Sequence, residues 1–196
     1  MDTKERILKE SLDLFSKKGF KAVTVEEIAG RIGIKAPSLY KHYKGKTEIF
    51  RAILEESTSR YKEFISTILT PSDTIPTPEE LGEKLSSLLE YSLHDEYVAP
   101  LRRIMTIEQF SSCEYGDMYS NLYVDTMLDY HISLFSKMMD KGLLKRGNPK
   151  EMALLYDAPF ILLLGECDRH PEKEEEAKIT LKEHAEYCFN LFSNNN

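Results

Sequence analysis

The chain has 196 residues, 41% of them hydrophobic and 30% charged, which is enough apolar material for a folded core and excludes a disordered polymer. The longest apolar run, residues 158–165, is much shorter than the roughly 20 residues that cross a bilayer, so we expect no membrane association. The net charge of −7 is unevenly divided, because residues 1–50 carry +4 and the remaining residues carry −11.

Apolar residues recur at three- and four-residue spacing along most of the chain, which predicts an all-α fold of about nine helices. The first helix is predicted from Thr3 to Lys18. Thr24 and Glu27 have the spacing of a capping box, in which each side chain accepts a hydrogen bond from the other residue's backbone N–H, so a second helix begins there. Gly33 ends this helix, and residues 35–43 form a third, short helix.

The remaining helices are bounded by similar signals. Thr47 is predicted to cap a long fourth helix. Thr77 and Glu80 form a second capping box, so the fifth helix begins at residue 78. Further helices are expected over residues 97–112, 117–141, 149–166 and 173–193.

The second and third helices and the turn at Gly33 have the spacing of a helix-turn-helix, a motif that projects one helix into a DNA groove. We therefore predict a helix-turn-helix DNA-binding domain over residues 1–48 and a larger helical effector-binding and dimerisation domain over residues 49–196. The third helix and its flanks carry no acidic residue within twelve positions. They present Lys35, Ser38, Tyr40, Lys41, His42, Lys44 and Lys46.

This N-terminal segment resembles the tetracycline-repressor (TetR) family of transcriptional regulators. The resemblance covers about the first 50 residues and rests on three stretches: residues 7–20, residues 24–34 and, above all, residues 39–50, which read LYKHYKGKTEIF. It implies that residues 35–43 form the recognition helix and that Lys46 meets the DNA backbone. Lys35 replaces the Ser or Thr that often caps this helix in the family. The predicted DNA-binding residues are Thr24, Lys35, Ser38, Tyr40, Lys41, His42 and Lys46.

The resemblance also implies a homodimer that is formed by the last two helices, about 149–166 and 173–193. Such a dimer places two recognition helices about 34 to 36 Å apart, so we expect a palindromic double-stranded operator. The apolar residues that we assign to these helices are Met152, Leu155, Tyr156, Phe160, Leu163, Leu164, Ile179, Leu181, Ala185, Tyr187, Cys188, Leu191 and Phe192.

Tyrosine and methionine are frequent in the central helices, where they suit either a ligand cavity with a few polar groups or an ordinary core. We predict an unknown small-molecule effector that releases a repressor from its operator. The alternative is a DNA-binding protein without a ligand that is controlled by a partner protein. The predicted effector residues are Met105, Glu108, Phe110, Tyr119, Tyr123, Met127, Tyr130, His131 and Tyr156.

Catalytic and metal chemistry have little support in the sequence. Cys167, Asp168 and His170, with His131, offer only one pair at ligand-like spacing, whereas a structural zinc site has four ligands. No phosphate-binding glycine loop or catalytic signature occurs, so we predict no enzyme, no metal and no cofactor. The start of the chain resembles no secretory signal and the cysteines lack paired spacing, so we expect a cytoplasmic protein.

Overall fold

A computed structural model describes residues 2–68, 74–111 and 113–193 and confirms the predicted all-α fold. Over these ranges no strand forms, and the β-type pairing is limited to one isolated bridge between Leu144 and Ser193. The α-helical segments are α1 (Thr3–Lys18), α2 (Val25–Arg31), α3 (Ala36–Leu39), α4 (Lys46–Ile68), α5 (Pro78–His94), α6 (Val98–Glu108), α7 (Cys113–Ser120), α8 (Thr126–Asp140), α9 (Pro149–Arg169) and α10 (Glu174–Phe192).

The segments α7 and α8 belong to one helical stretch, because the π-helical turn Asn121–Asp125 joins them directly. Counted in this way, the described residues form nine principal helices, as the sequence predicts. Stretch 113–140 begins four residues earlier than the predicted 117. Helix α6 ends at Glu108 instead of 112, and α9 continues to Arg169 instead of 166.

One predicted helix cap needs correction and another is confirmed. Thr47 does not cap α4, because the helix already begins at Lys46 and the carbonyl of Gly45 accepts from the N–H of Glu48 at 3.2 Å. Thr24 does cap α2, since its hydroxyl accepts from the N–H of Glu27 at 3.1 Å. The carboxylate of Glu27 pairs with Lys18 on α1, and a backbone hydrogen bond from Thr24 also contributes to lowering its pKa.

Complete capping boxes occur at α1, through Asp2 and Glu5, and at α5. At α5, Thr77 accepts from the N–H of Glu80 at 3.2 Å, and the Glu80 carboxylate accepts from the N–H of Thr77 at 2.7 Å. We expect Thr77→Ala to lower the free energy of unfolding by about 1 kcal/mol, because one backbone donor loses its partner. Urea unfolding at fixed protein concentration measures this effect. Thr77→Ser keeps the oxygen and should stay near the parent, and equal losses in both variants would contradict the assignment.

The chain divides into two compact units. The first comprises Met1–Phe64 and His94–Tyr119, and the second comprises Ile65–Leu93 and Ser120–Asn196. The predicted domain division at residues 48 and 49 falls inside α4 and stays a prediction. Over the described residues, no helix is both long enough and apolar enough to cross a membrane.

In the first unit, α1 packs against α2 and α6. Phe15 of α1, Phe20 of the loop that follows it and Phe50 of α4 form an aromatic cluster with ring centroids 5.0 to 5.9 Å apart. Leu39 of α3 is fully buried, so α3 is anchored to this core through one face. The first unit thereby holds two short helices that would be marginal in isolation.

In the second unit, α9 packs against α8 and α10. The Tyr156 hydroxyl is buried and donates a hydrogen bond of 3.2 Å to the carbonyl of Leu81 on α5. Not all of the predicted dimer residues are on the surface. Several are buried within the chain, because α9 and α10 each direct one face into the core of their own unit. The buried ones are Tyr156, Phe160, Leu164, Leu181, Ala185, Cys188 and Phe192.

Candidate nucleic-acid interface

The turn between α2 and α3 is tight and regular. Gly33 has a φ of 75°, a left-handed conformation that glycine adopts without steric cost. The N–H of Ile34 donates to the carbonyl of Ala29 at 2.9 Å and closes the end of α2. Lys35 occupies the N-cap position of α3 without a side-chain cap bond, as expected from the absence of Ser or Thr there. Helix α3 is therefore held by this turn and by its buried face.

Helix α3 is shorter than predicted. It ends at Leu39, and residues 40–43 continue as turns in which the N–H groups of Lys41 and His42 donate to the carbonyls of Ser38 and Leu39. Tyr43 is buried, and this burial raises the pKa of its hydroxyl to about 12, so it stays protonated at neutral pH. Leu39 and Tyr43 thus pack into the core, and the residues between them face outward.

Most of the predicted DNA-binding residues are exposed. Tyr40 is a large aromatic side chain with 51% of its surface open to solvent. Ser38 is half-buried. Lys46 is half-buried as well, and its ammonium group donates to backbone carbonyls of its own chain. The other exposed residues of the set are Thr24, Lys35, Lys41 and His42.

Several basic side chains of the N-terminal segment are neutralised by acids. Arg31 of α2 contacts Glu10 at 2.8 Å and Asp13 at 2.5 Å, and Lys17 contacts Asp13 at 2.7 Å. Hydrogen bonding from Lys17, with further help from Arg31, holds the pKa of Asp13 below its usual value. Lys18 pairs with Glu27 in the same way. These pairs lie on α1 and α2, so the positive charge there is largely compensated.

A second group of cations has no such compensation. Within the described part of residues 2–53, six basic side chains form neither an ion pair nor a hydrogen bond: Lys4, Lys21, Lys35, Lys41, Lys44 and Arg51. Three of them flank α3, where a double helix would bring its phosphates. Half of these unpaired basic side chains thus lie beside the exposed face of α3.

Lys46 directs its ammonium group at the backbone of its own chain. Its Nζ lies 2.9 Å from the carbonyl oxygen of Phe20, 3.1 Å from that of Lys21 and 2.9 Å from that of Val23. It also lies 4.7 Å from the centroid of the Phe20 ring. The sequence does not indicate these bonds, because the residues that they join are more than twenty positions apart.

The predicted effector residues are divided between the two units. Met105 and Glu108 are buried in the first unit, whereas Phe110, two residues after α6, is 89% exposed. In the second unit, the ring of His131 lies 5.0 Å from that of Tyr130 and 4.7 Å from that of Tyr156. The second unit also contains Tyr123, which is buried in the π-helical turn, and Met127, which is buried on α8. Tyr119 lies in the first unit. A pocket formed by these residues stays a prediction.

Asp157 is a residue that the sequence reasoning missed. It lies on α9 with its carboxylate 2.7 Å from Nδ1 of His131, and both side chains are buried. Neither the Asp157 oxygens nor Nδ1 of His131 meet the geometry of a hydrogen bond with any described residue, so the two groups meet as a close polar contact. The available signal was an acidic residue directly before the apolar run 158–165, because a buried carboxylate requires a partner.

A surface groove of about 620 Å³ lies between the start of α5 and the second half of α10. Glu83, Glu183, Glu186 and Phe189 are among its lining residues, and none of the predicted effector residues is. For the zinc alternative, no group of three possible ligands forms among the described residues. Cys167 is buried, and the exposed His170 ring lies 3.3 Å from Glu172.

A family model described as bacterial regulatory proteins of the tetR family matches residues 7–53. The HTH-type transcriptional regulator YerO of Bacillus subtilis is 44% identical over 54 residues, which are 28% of this chain and 19% of YerO. IcaR, a negative transcriptional regulator of the biofilm operon icaADBC in Staphylococcus epidermidis, is 36% identical over 62 residues, which are 32% of this chain and 34% of IcaR. The matches thus span well under two thirds of either relative.

Solved structures share the whole fold. SmeT, the repressor of the Stenotrophomonas maltophilia multidrug efflux pump SmeDEF, aligns over 100% of this chain and 93% of its own with a TM-score of 0.69 and 22% identity. A complex of SmeT with triclosan aligns over 99% and 93% with a TM-score of 0.70 and 21% identity. Identity at this level establishes a common fold alone. The matched family consists of regulatory proteins and not of enzymes, in agreement with the sequence prediction.

Proposed function

We propose that this chain, whose N-terminal region belongs to the tetR family of bacterial regulatory proteins, is a transcription regulator that binds double-stranded operator DNA through α2 and α3. The observation that carries the proposal is the outer surface of α3. It presents polar side chains at helical spacing between cations that have no acidic partner, while its opposite face is buried. A surface of this kind can enter a major groove and neutralise the phosphates on either side.

The individual roles follow from exposure and position. Tyr40 and His42 offer a hydrogen bond and a planar face to base edges or sugars, and Ser38 offers a hydroxyl. Thr24, at the N-terminus of α2, lies where backbone N–H groups favour a phosphate. Lys35 and Lys41 supply charge on both sides of α3.

Selection of bound fragments from random DNA tests the proposal directly. The expected result is a palindrome whose half-sites are separated by about one helical turn, roughly 10 to 10.5 base pairs, or a multiple of it. Binding should weaken steeply as salt rises, because phosphate contacts release counterions. If the selection enriches no sequence even at low salt, the proposed function is wrong.

We expect Tyr40→Ala to lower operator affinity by about 10- to 100-fold, because a side chain that contacts base edges contributes about that much discrimination. Thermal stability should be unchanged, since Tyr40 is about half exposed. Fluorescence anisotropy with the selected operator and with a scrambled duplex measures the loss of preference. Phe110→Ala, which removes an exposed aromatic ring outside α2 and α3, is the matched control. Equal affinities for Tyr40→Ala and the parent protein would remove Tyr40 from the interface.

We further propose that the protein acts as a homodimer through α9 and α10. Six of the ten large hydrophobic side chains that are exposed among the described residues lie on these two helices. They are Leu154, Leu155, Leu162, Ile179, Tyr187 and Leu191, and they are exposed by 48 to 68%. A concentration of apolar surface on two adjacent helices favours an interface between copies.

The proposed activity is repression that a small molecule relieves. IcaR is a negative regulator, SmeT is a repressor, and SmeT forms a complex with triclosan. By population shift, an effector that prefers the form unable to bind the operator would release the DNA. A thermal-shift screen of small molecules, followed by operator release, tests this step. If no compound binds, but a protein recovered with the regulator changes operator affinity, then the regulator is controlled by a partner protein and not by a small molecule.

A further inference from the structure

The ammonium group of Lys46 has all three of its donors engaged. A lysine ammonium carries three N–H donors and no acceptor. The carbonyl oxygens of Phe20, Lys21 and Val23 surround it at 2.9 to 3.1 Å, which matches that number. The ring of Phe20 covers it at 4.7 Å. A phosphate oxygen could be bound by this group only if at least one of these bonds were broken.

The three carbonyls belong to the segment that leads into the helix-turn-helix. Residues 19–24 connect α1 to α2, and Thr24 at the end of this segment is the N-cap of α2. Val23 is fully buried, so the segment is fixed immediately before the cap. Lys46 is the first residue of α4 and the helix-turn-helix lies between it and this segment. The bonds of Lys46 thus join the two ends of the segment that contains α2, α3 and their turns.

We propose that Lys46 is a positioning residue that fixes α2 and α3 for operator binding and is not itself a phosphate ligand. The inference rests on the proposed function, since positioning matters only if α3 reads DNA. Three carbonyl dipoles that point at one another repel unless a cation lies between them. Loss of the ammonium would therefore let the entry to α2 spread and would change the angle at which α3 is presented.

Lys44 provides the contrast within the same short segment. It is exposed two positions before Lys46, and its ammonium has no partner among the described residues. A lysine that contacts phosphate contributes about 0.9 to the slope of log affinity against log salt. The two lysines should therefore affect salt dependence differently, although both carry one charge and stand on one edge of the motif.

The experiment compares Lys46→Met, Lys46→Arg, Lys44→Met and the parent chain, with DNA from the random selection. Operator affinity is measured across a salt series well below the melting temperature of every variant, and thermal unfolding is followed by circular dichroism. Ser57→Ala is a control for lowered stability, because it removes a buried hydrogen bond of 3.2 Å to Tyr97 from the same helix α4. Its operator affinity should equal that of the parent.

For Lys46→Met we expect Tm to fall by about 4 °C or more, affinity to fall by about 10-fold or more, and the salt slope to stay unchanged. Lys46→Arg should behave similarly, because a planar guanidinium cannot bond three converging carbonyls as a tetrahedral ammonium does. Lys44→Met should keep the Tm of the parent, and its slope of log affinity against log salt should be smaller by about one unit per subunit.

The opposite pattern overturns the inference. A phosphate ligand predicts that Lys46→Met loses slope and that Lys46→Arg binds as well as the parent, since arginine is an equal or better ligand for phosphate. If Lys46→Met does not fold, the Lys46→Arg comparison decides alone. If the parent chain binds no DNA from the selection, the proposed function is wrong. The fall in Tm of Lys46→Met would still show whether the bonds of Lys46 hold residues 19–24 in place.

Discussion

Replacement of Leu162 by glutamate is expected to turn the proposed dimer into a monomer and to lower operator affinity by about 100- to 10,000-fold. Leu162 is 68% exposed on the face of α9 that its own chain does not cover. A glutamate there would have to lose its hydration without a partner when the two copies meet. Since a monomer binds a single half-site, the gain from simultaneous binding of both half-sites disappears.

Light scattering at micromolar concentration, together with operator titration, measures both effects. Leu143→Glu is the matched control, because Leu143 is another exposed leucine of the second unit that lies outside α9 and α10. It should leave mass and affinity unchanged. A dimer that survives Leu162→Glu, or a parent protein that is monomeric, would exclude α9 as the interface.

His131→Leu is expected to lower the free energy of unfolding by about 3 kcal/mol, because it leaves the buried carboxylate of Asp157 without its partner. The two groups are 2.7 Å apart, and their side chains are only 7% and 8% exposed. Aromatic rings of Phe135 and Tyr156 close the space around His131 at 5.8 and 4.7 Å. Water therefore has little room to replace the imidazole.

Urea unfolding of the single and double variants separates the contribution of the His131–Asp157 pair to the free energy of unfolding from that of the surrounding packing. The double variant His131→Leu with Asp157→Leu should recover most of the loss, since replacing both members of a buried pair with apolar residues is often nearly neutral. Protein concentration must be constant, because the stability of a dimer depends on it. No recovery in the double variant would mean that packing and not the charge of Asp157 causes the loss.

The helix-turn-helix could be predicted in detail because its signals are local. The cap at Thr24, the left-handed turn at Gly33 and the buried side of Leu39 each depend on residues within a few positions. Charge could be assigned to the N-terminal segment for the same reason. Which cations remain available could not be predicted, because Arg31 and Lys18 are neutralised by acids 9 to 21 positions away.

Residue order alone determined the helical fold, the helix-turn-helix and the helix caps at Thr24 and Thr77, since these follow from interactions between neighbours in the chain. Only the tertiary structure decided which side of α9 is buried, where Lys46 directs its ammonium, and that Asp157 has His131 as its partner. An apolar stretch such as residues 158–165 is apolar on every side, so its periodicity does not separate a core face from an interface face. That separation arises when α8 and α10 cover one side and leave the other to solvent.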